Sequence, residues 1–404
     1  MSSSHPTHLN EELHCHLYGC LTPEDLWTLG RDRYERHESR LSWYADEYAK
    51  AYGRRPDPQA YWRGTSGFDL LKRDFLFTSP APFARFQASF NLAIALLPIA
   101  PDDTTVLRHV LAQQRASGLS YGEYRCFVPP HLTERDIKHY IAVAADTTLA
   151  IAADGAGEFE PRLVFSLARR AETGLKQYEI LHETLREHVD RRKVVAGIDF
   201  CGVEERHPPS LTEPLIQRIL SDNSKSPEHA LAVLYHVGES FADKSLPSAV
   251  RWVWQAQAMG AHRLGHALAL GVEPSSHMDQ HVSELVSERR DHLNWLIDSS
   301  LWLAHHGYDV DLASVKRELS ELASVPASDH LKVAFDEAAA ADCRKLQDAV
   351  MADLATRHTV IESCPTSNML IGNLTASSHP LPRFLAAGLK VVIGADDPGI
   401  FATS

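Results

Sequence analysis

His14-Cys15-His16 ends the first apolar run of this 404-residue chain. On a β-strand the side chains at i and i+2 point to one face, so both imidazoles leave the strand together while Cys15 faces the other way. Two convergent imidazoles are a ready pair of metal ligands, although a chance pair among 23 histidines is the plain alternative. Three more apolar runs end in ionisable groups: Tyr235-His236-Val237-Gly238-Glu239, Arg263-Leu264-Gly265-His266 and Gly394-Ala395-Asp396-Asp397-Pro398. Each alone could be a helix cap or a turn. Four together are harder to explain as packing, because buried charges need partners or a metal.

The elements that must position these groups are legible as a pattern. Short β-rich runs fall at 12–17, 119–128, 162–167, 194–201, 232–236, 263–266, 359–363 and 390–395, with helical periodicity at 23–36, 81–97, 102–116, 134–153, 172–189 and 245–259. Eight strands alternating with helices predict a (β/α)8 TIM barrel, in which ionisable strand ends gather at the C-terminal mouth. A doubly wound open sheet is the competing architecture, weakened because no Gly-x-Gly-x-x-Gly follows the first strand. Residues 268–355 read as a helical insertion between strands six and seven, and the aromatic-rich stretch 39–67 as a smaller one. No linker separates either, so residues 1–404 are read as a single domain. The chain stops eight residues after Asp396, leaving no room for the usual helix after strand eight; either something else closes the barrel or the sequence is cut short.

Composition narrows the partners. There are 40 Lys+Arg against 53 Asp+Glu, a net charge of -13, where a nucleic-acid binder normally carries a basic surplus. The pairs Arg54-Arg55, Arg169-Arg170, Arg191-Arg192 and Arg289-Arg290 are read as solvated surface. Six scattered cysteines without a Cys-x-x-Cys pair read as free thiols in a reducing compartment. With no signal-like N-terminus, and with the longest apolar run, 92–100, too short to span a bilayer, the expectation is a cytoplasmic protein that binds no membrane.

The fragments ELHCHLYGCLTPEDL, YGEYRCF, VVAGIDFCGVE, YHVGES, HRLGHAL, ESCPTSNMLIG and VVIGADDPGIFATS occur in this order. As an ordered set, from residue 11 to 404, they resemble the adenosine deaminase family of metal-dependent hydrolases. The resemblance implies one zinc per chain, held by His14, His16, His236 and Asp396, with an open position for water. Zinc can lower the pKa of a bound water from 15.7 to about 7. It further implies that Glu239 protonates purine N1, that His266 orients the water, that Asp397 meets N7, and that Gly202 offers its N–H to N3. His16 and Tyr18 would border the substrate. The lysine that a two-metal relative needs at the end of strand four is missing, since Lys193 lies at the opposite end. The unrelated cytidine-deaminase pattern, with Pro-Cys-x-x-Cys, is absent.

One departure bears on the substrate. Where the family has His-x-His-Leu-Asp-Gly, this chain has Tyr18 before Gly19. An aromatic packed under the 39–67 stretch is the plain reading. The functional one is a changed group at the ribose 5′ position, because two unit charges 4 Å apart repel by about 4 kcal/mol at a dielectric of 20 and a missing carboxylate would admit a phosphate. Glu123 and Arg125 are expected to pair with each other inside the barrel, and Asp199 to support the metal site. The leading function is hydrolytic deamination of a 6-aminopurine nucleoside such as adenosine. The alternatives are a deaminase of a phosphorylated adenosine or of free adenine, and, from another class, a non-catalytic assembly or binding subunit. The insertion is a candidate lid or homo-oligomer contact.

Overall fold

The computed structural model describes residues 10–64, 66–97, 102–128, 132–154, 157–278 and 282–403. The N-terminal stretch read for a targeting signal and the end of the 92–100 run lie outside them. Eight parallel strands pair in sequence around a nearly closed barrel. They are β1 (Glu11–His16), β2 (Tyr121–Phe127), β3 (Glu160–Ser166), β4 (Val195–Phe200), β5 (Ala232–Val237), β6 (Arg263–His266), β9 (Val360–Ser363) and β10 (Lys390–Ile393). All eight fall where the apolar runs predict them. The seam between β10 and β1 is closed by two backbone bonds, His16 N–H to the Asp396 carbonyl and Asp396 N–H to the His14 carbonyl, each 2.8 Å. The backbone that closes the barrel thus belongs to three of the candidate ligands. Among the described residues no helix is long and apolar enough to cross a membrane.

One segment departs from the helical reading of residues 268–355. Val282–Leu285 is a strand, β7, paired antiparallel with β8 (His330–Val333). Its partner lies more than forty residues downstream, so no local periodicity announces the pairing. The helix Val286–Asp298 follows it and packs on the barrel helix Leu246–Ala258. Two buried carboxylates fasten that contact. Glu284 accepts from the Ser245 N–H at 3.1 Å, and Glu288 accepts from the Trp252 indole at 2.8 Å while pairing with Arg251. After β10 a single helical turn, Pro398–Phe401, carries Phe401 onto Phe86, with ring centroids 5.4 Å apart.

The 39–67 stretch folds as the helix Glu38–Tyr52 and the turn Pro58–Trp62 around one buried carboxylate. Asp74 accepts from the Tyr61 hydroxyl at 2.8 Å and from Arg73 at 2.9 Å, and pairs with Arg54. Burial alone would raise its pKa; the bonds from Arg73, Arg54 and Tyr61 prevail and hold it below the usual carboxylate range. A depressed folded pKa contributes stability above the unfolded pKa and loses it as pH falls through the folded value. Asp74→Asn is therefore expected to cost about 1–3 kcal/mol in urea melts at neutral pH, a gap that narrows below about pH 4. A gap independent of pH would show that the charge is irrelevant.

Three of the arginine pairs are not wholly solvated surface: Arg289 and Arg290 are part-buried, the first on Glu318 and the second on the Leu322 and Val325 carbonyls. Arg169 and Arg191 are buried; Arg191 forms a two-pronged pair with Asp146, both bonds 2.7 Å. Their carbonyl and carboxylate partners come from distant elements, which a charge run does not reveal. All six cysteines are free, and all but Cys201 are buried.

Candidate active site

His14 and His16 emerge from β1, His236 from β5, and Asp396 follows β10. One ligand atom from each of these four lies within 4.8 Å of all the others. His16 Nε2 stands 3.3 Å from His236 Nε2 and 3.3 Å from Asp396 Oδ1, while His14 Nε2 is 3.5 Å from the same oxygen. The opposite ring nitrogens are already engaged. His14 Nδ1 meets Glu362 Oε2, and His236 Nδ1 meets Asp199 Oδ1, each at 2.9 Å. This arrangement fixes each ring and leaves both Nε2 atoms facing the centre, as a metal-ligating histidine requires. His14 Nε2 is buried with no hydrogen-bond partner, and an orphaned acceptor there fits a cation. Burial lowers the His236 pKa to about 4, favouring the neutral ring that a metal needs.

Behind the ligands stands a charged network. Burial would raise Glu362, but Arg125 and His14 outweigh it and hold it at about 2. Arg125 pairs with Glu362 and lies 3.7 Å from Asp199, linking the two carboxylates that orient the histidines. The expected Glu123–Arg125 pair is not formed. Glu123 instead pairs with Arg263 of β6. Residues two apart on a strand occupy different layers of a barrel interior, so each finds its counter-charge on another strand.

The remaining candidates surround the same mouth. His266 Nε2 lies 3.6 Å from Glu239 Oε1. The Asn368 side-chain N–H donates to His266 Nδ1 at 2.9 Å, which places the proton of the neutral ring on Nε2. Burial, then Asp396, Glu204 and Glu205, push the Glu239 carboxyl well above its ordinary pKa. Asp397 packs against Gly19, where an added Cβ would sit 1.7 Å from its Oδ1; only glycine admits that approach. Gly202 turns with φ +80° and borders the chamber, where a Cβ would meet open space. His266 and Asp396 both adopt φ near +60°, an uncommon conformation for non-glycine residues that gathers at functional sites.

Glu204, Arg169, Glu362 and Asn368 were not singled out by the sequence. Glu204 accepts from three successive backbone N–H groups, of Gly238 at 2.8 Å, Glu239 at 3.2 Å and Ser240 at 3.4 Å, and so holds the turn that aims Glu239. Arg169 donates to the His236 carbonyl at 2.7 Å and to the Cys201 carbonyl at 3.2 Å, tying β4 to β5 below the mouth. Three of the four lie within the quoted fragments, so motif position was a signal; their roles required geometry.

Tyr18 is buried and its hydroxyl meets that of Tyr140 at 3.0 Å. Above the polar floor the chamber wall is aromatic, with Phe83, Phe86 and Phe90 from one helix and Phe127 from β2. Among the described residues lining it Arg125 is the only Lys or Arg, and its charge is already answered by Glu362 and Asp199.

Fold and site together define a parallel barrel with a four-residue group at its mouth that could hold one metal ion. Residues 303–404 match the family model of adenosine deaminase. Over that C-terminal quarter the chain is similar to the adenosine deaminase family. An aminodeoxyfutalosine deaminase of Acidothermus cellulolyticus is 37% identical over 81 residues, 20% of this chain and 21% of the relative. An adenosine deaminase of Shewanella loihica is 30% identical over 114 residues, 28% of this chain and 31% of the relative. The chain thus spans less than a third of either of these curated relatives. Two solved structures share the fold over 98% of this chain: an adenine deaminase from Arthrobacter aurescens (TM-score 0.54, 18% identity, 84% of that chain) and a Zn-bound amidohydrolase from Burkholderia ambifaria (TM-score 0.51, 15% identity, 77% of that chain).

Proposed function

We propose that this chain is a zinc-dependent deaminase that replaces the amino group of a 6-aminopurine nucleoside with oxygen, releasing ammonia. The observation that carries the reading is the convergence of His14, His16, His236 and Asp396 within 4.8 Å, with Glu239 and His266 beside them. Three imidazoles and one carboxylate suit a single zinc, which when bound supplies a nucleophilic water at neutral pH. The chain's own groups do the rest. Glu239 holds a proton for ring nitrogen N1, making C6 electrophilic. His266, with its proton on Nε2, faces Glu239 and orients the attacking water. Asp397 binds N7 and the Gly202 N–H binds N3, fixing the ring over the floor of the chamber.

The apolar wall favours an unphosphorylated sugar next to the ring. Tyr18 removes a carboxylate, but among the described residues no unpaired cation lines the chamber to receive a 5′-phosphate in its place. Metal analysis of the purified protein together with an absorbance assay on adenosine, deoxyadenosine, adenine and adenosine 5′-phosphate tests the reading. Near one zinc per chain is expected, with a nucleoside turned over faster than its 5′-phosphate, and with loss of turnover on chelation and return on adding zinc. A metal-loaded protein that deaminates none of these purines would overturn it.

A further inference from the structure

We propose that Glu284, on β7 of the 268–355 segment, is a positioning residue for the reaction, holding the far end of the loop that carries Glu239. The inference rests on the deaminase reading and adds a distant anchor to its proton donor. Residues 238–245 connect β5, which bears His236, to the helix Leu246–Ala258. They form neither helix nor strand, so their course is set by the side chains that grip them.

Two buried carboxylates grip the two ends. Glu204, from the loop after β4, takes the N–H groups of Gly238, Glu239 and Ser240 at the near end. At the far end Glu284 Oε1 accepts from the Ser245 N–H at 3.1 Å and from the Ser245 hydroxyl at 3.2 Å. Capping the next helix does not require Glu284, because the Ser245 hydroxyl already accepts from the Ser248 N–H at 3.4 Å. Glu284 is nonetheless fully buried, and its Oε2 meets no hydrogen-bond partner among the described residues. A carboxylate desolvated on those terms is costly, which points to a use beyond the cap.

The middle of the loop is held from the same two sides. Asp243 accepts from the Arg206 N–H at 2.7 Å, two residues beyond Glu204. Phe241 faces His277 of the 268–355 segment, with ring centroids 5.8 Å apart. Lys244 is buried, its Nζ 3.8 Å above the Trp252 ring, and Trp252 donates to Glu288, four residues beyond Glu284. Slack admitted at Ser245 would therefore pass along the loop to Glu239. A misplacement of about 1 Å can cost a reacting group about 10²-fold in rate. The loss should fall on kcat, because Asp397 and Gly202, which the reading assigns to ring binding, lie on other loops.

The test uses the fastest of the four purines named above as substrate. Glu284→Ala is expected to lower kcat about tenfold and to leave KM within about twofold. Glu284→Gln keeps an acceptor for Ser245 and should recover most of the rate. A double-mutant cycle separates positioning from general support of the fold. Once Glu239→Gln has removed the proton donor, Glu284→Ala has nothing left to misplace and should cost no further rate. Equal losses in both backgrounds, or none in the parent, overturn the proposal. If Glu284→Ala does not fold, Glu284→Asp takes its place in the same cycle, keeping the charge but shortening the reach. Should no purine be turned over, the deaminase reading fails separately, and amide hydrogen exchange decides the anchor. Residues 238–245 should then exchange at least about tenfold faster in the variant than in the parent while β5 stays protected. Unaltered exchange across the loop overturns the anchor.

Discussion

Glu239→Gln is expected to lower turnover of the best 6-aminopurine substrate by at least about 10²-fold, and by as much as about 10⁴-fold, the usual contribution of a positioned proton donor. The substitution keeps the shape of the side chain and its place on the turn held by Glu204, but an amide has no proton to give at this pH. Glu239 is mostly shielded from solvent, its side chain 10% exposed, and lies near Asp396 and Glu204, so the parent already favours the uncharged carboxyl there. Exchanging a neutral acid for a neutral amide should therefore leave the denaturant midpoint and the bound metal nearly unchanged. Rate, metal content and stability measured on one preparation separate the possibilities. Undiminished turnover with full metal content would remove Glu239 from the chemistry. Lost metal would make it part of the cation site instead.

Arg125→Ala is expected to be the most damaging single change to the fold. The side chain is 1% exposed, pairs with Glu362, approaches Asp199 and donates to the Leu13 carbonyl at 3.1 Å. Removing it leaves two carboxylates buried without their shared cation. Breaking a buried pair from one side costs about 3–5 kcal/mol, against a total stability of about 5–15 kcal/mol for a domain. The variant should therefore unfold at much lower urea, and its residual folded fraction should bind metal poorly, since Glu362 and Asp199 orient His14 and His236. Arg125→Lys keeps the charge but not the fork, and should fall between. A midpoint shift worth less than about 1 kcal/mol in Arg125→Ala would mean that the network is not what holds the barrel floor.

The eight barrel strands were readable in order because each carries its own signal: a short apolar run closed by a turn, within a few residues. The same locality exposed His14, His16, His236, Glu239, His266, Asp396 and Asp397, since alternation on a strand says which side chains share a face and a strand end says which mouth they reach. Family wording supplied their proposed roles, not their distances. Tertiary structure alone decided who pairs with whom. Glu123 and Arg125 share one face of β2 yet take partners from β6 and β9, and β7 finds its partner across more than forty residues. Glu204 looks like an ordinary surface charge until the turn it holds is seen around it. Such facts depend on contacts distant in sequence, where pairing and desolvation are set by folding rather than by neighbours along the chain.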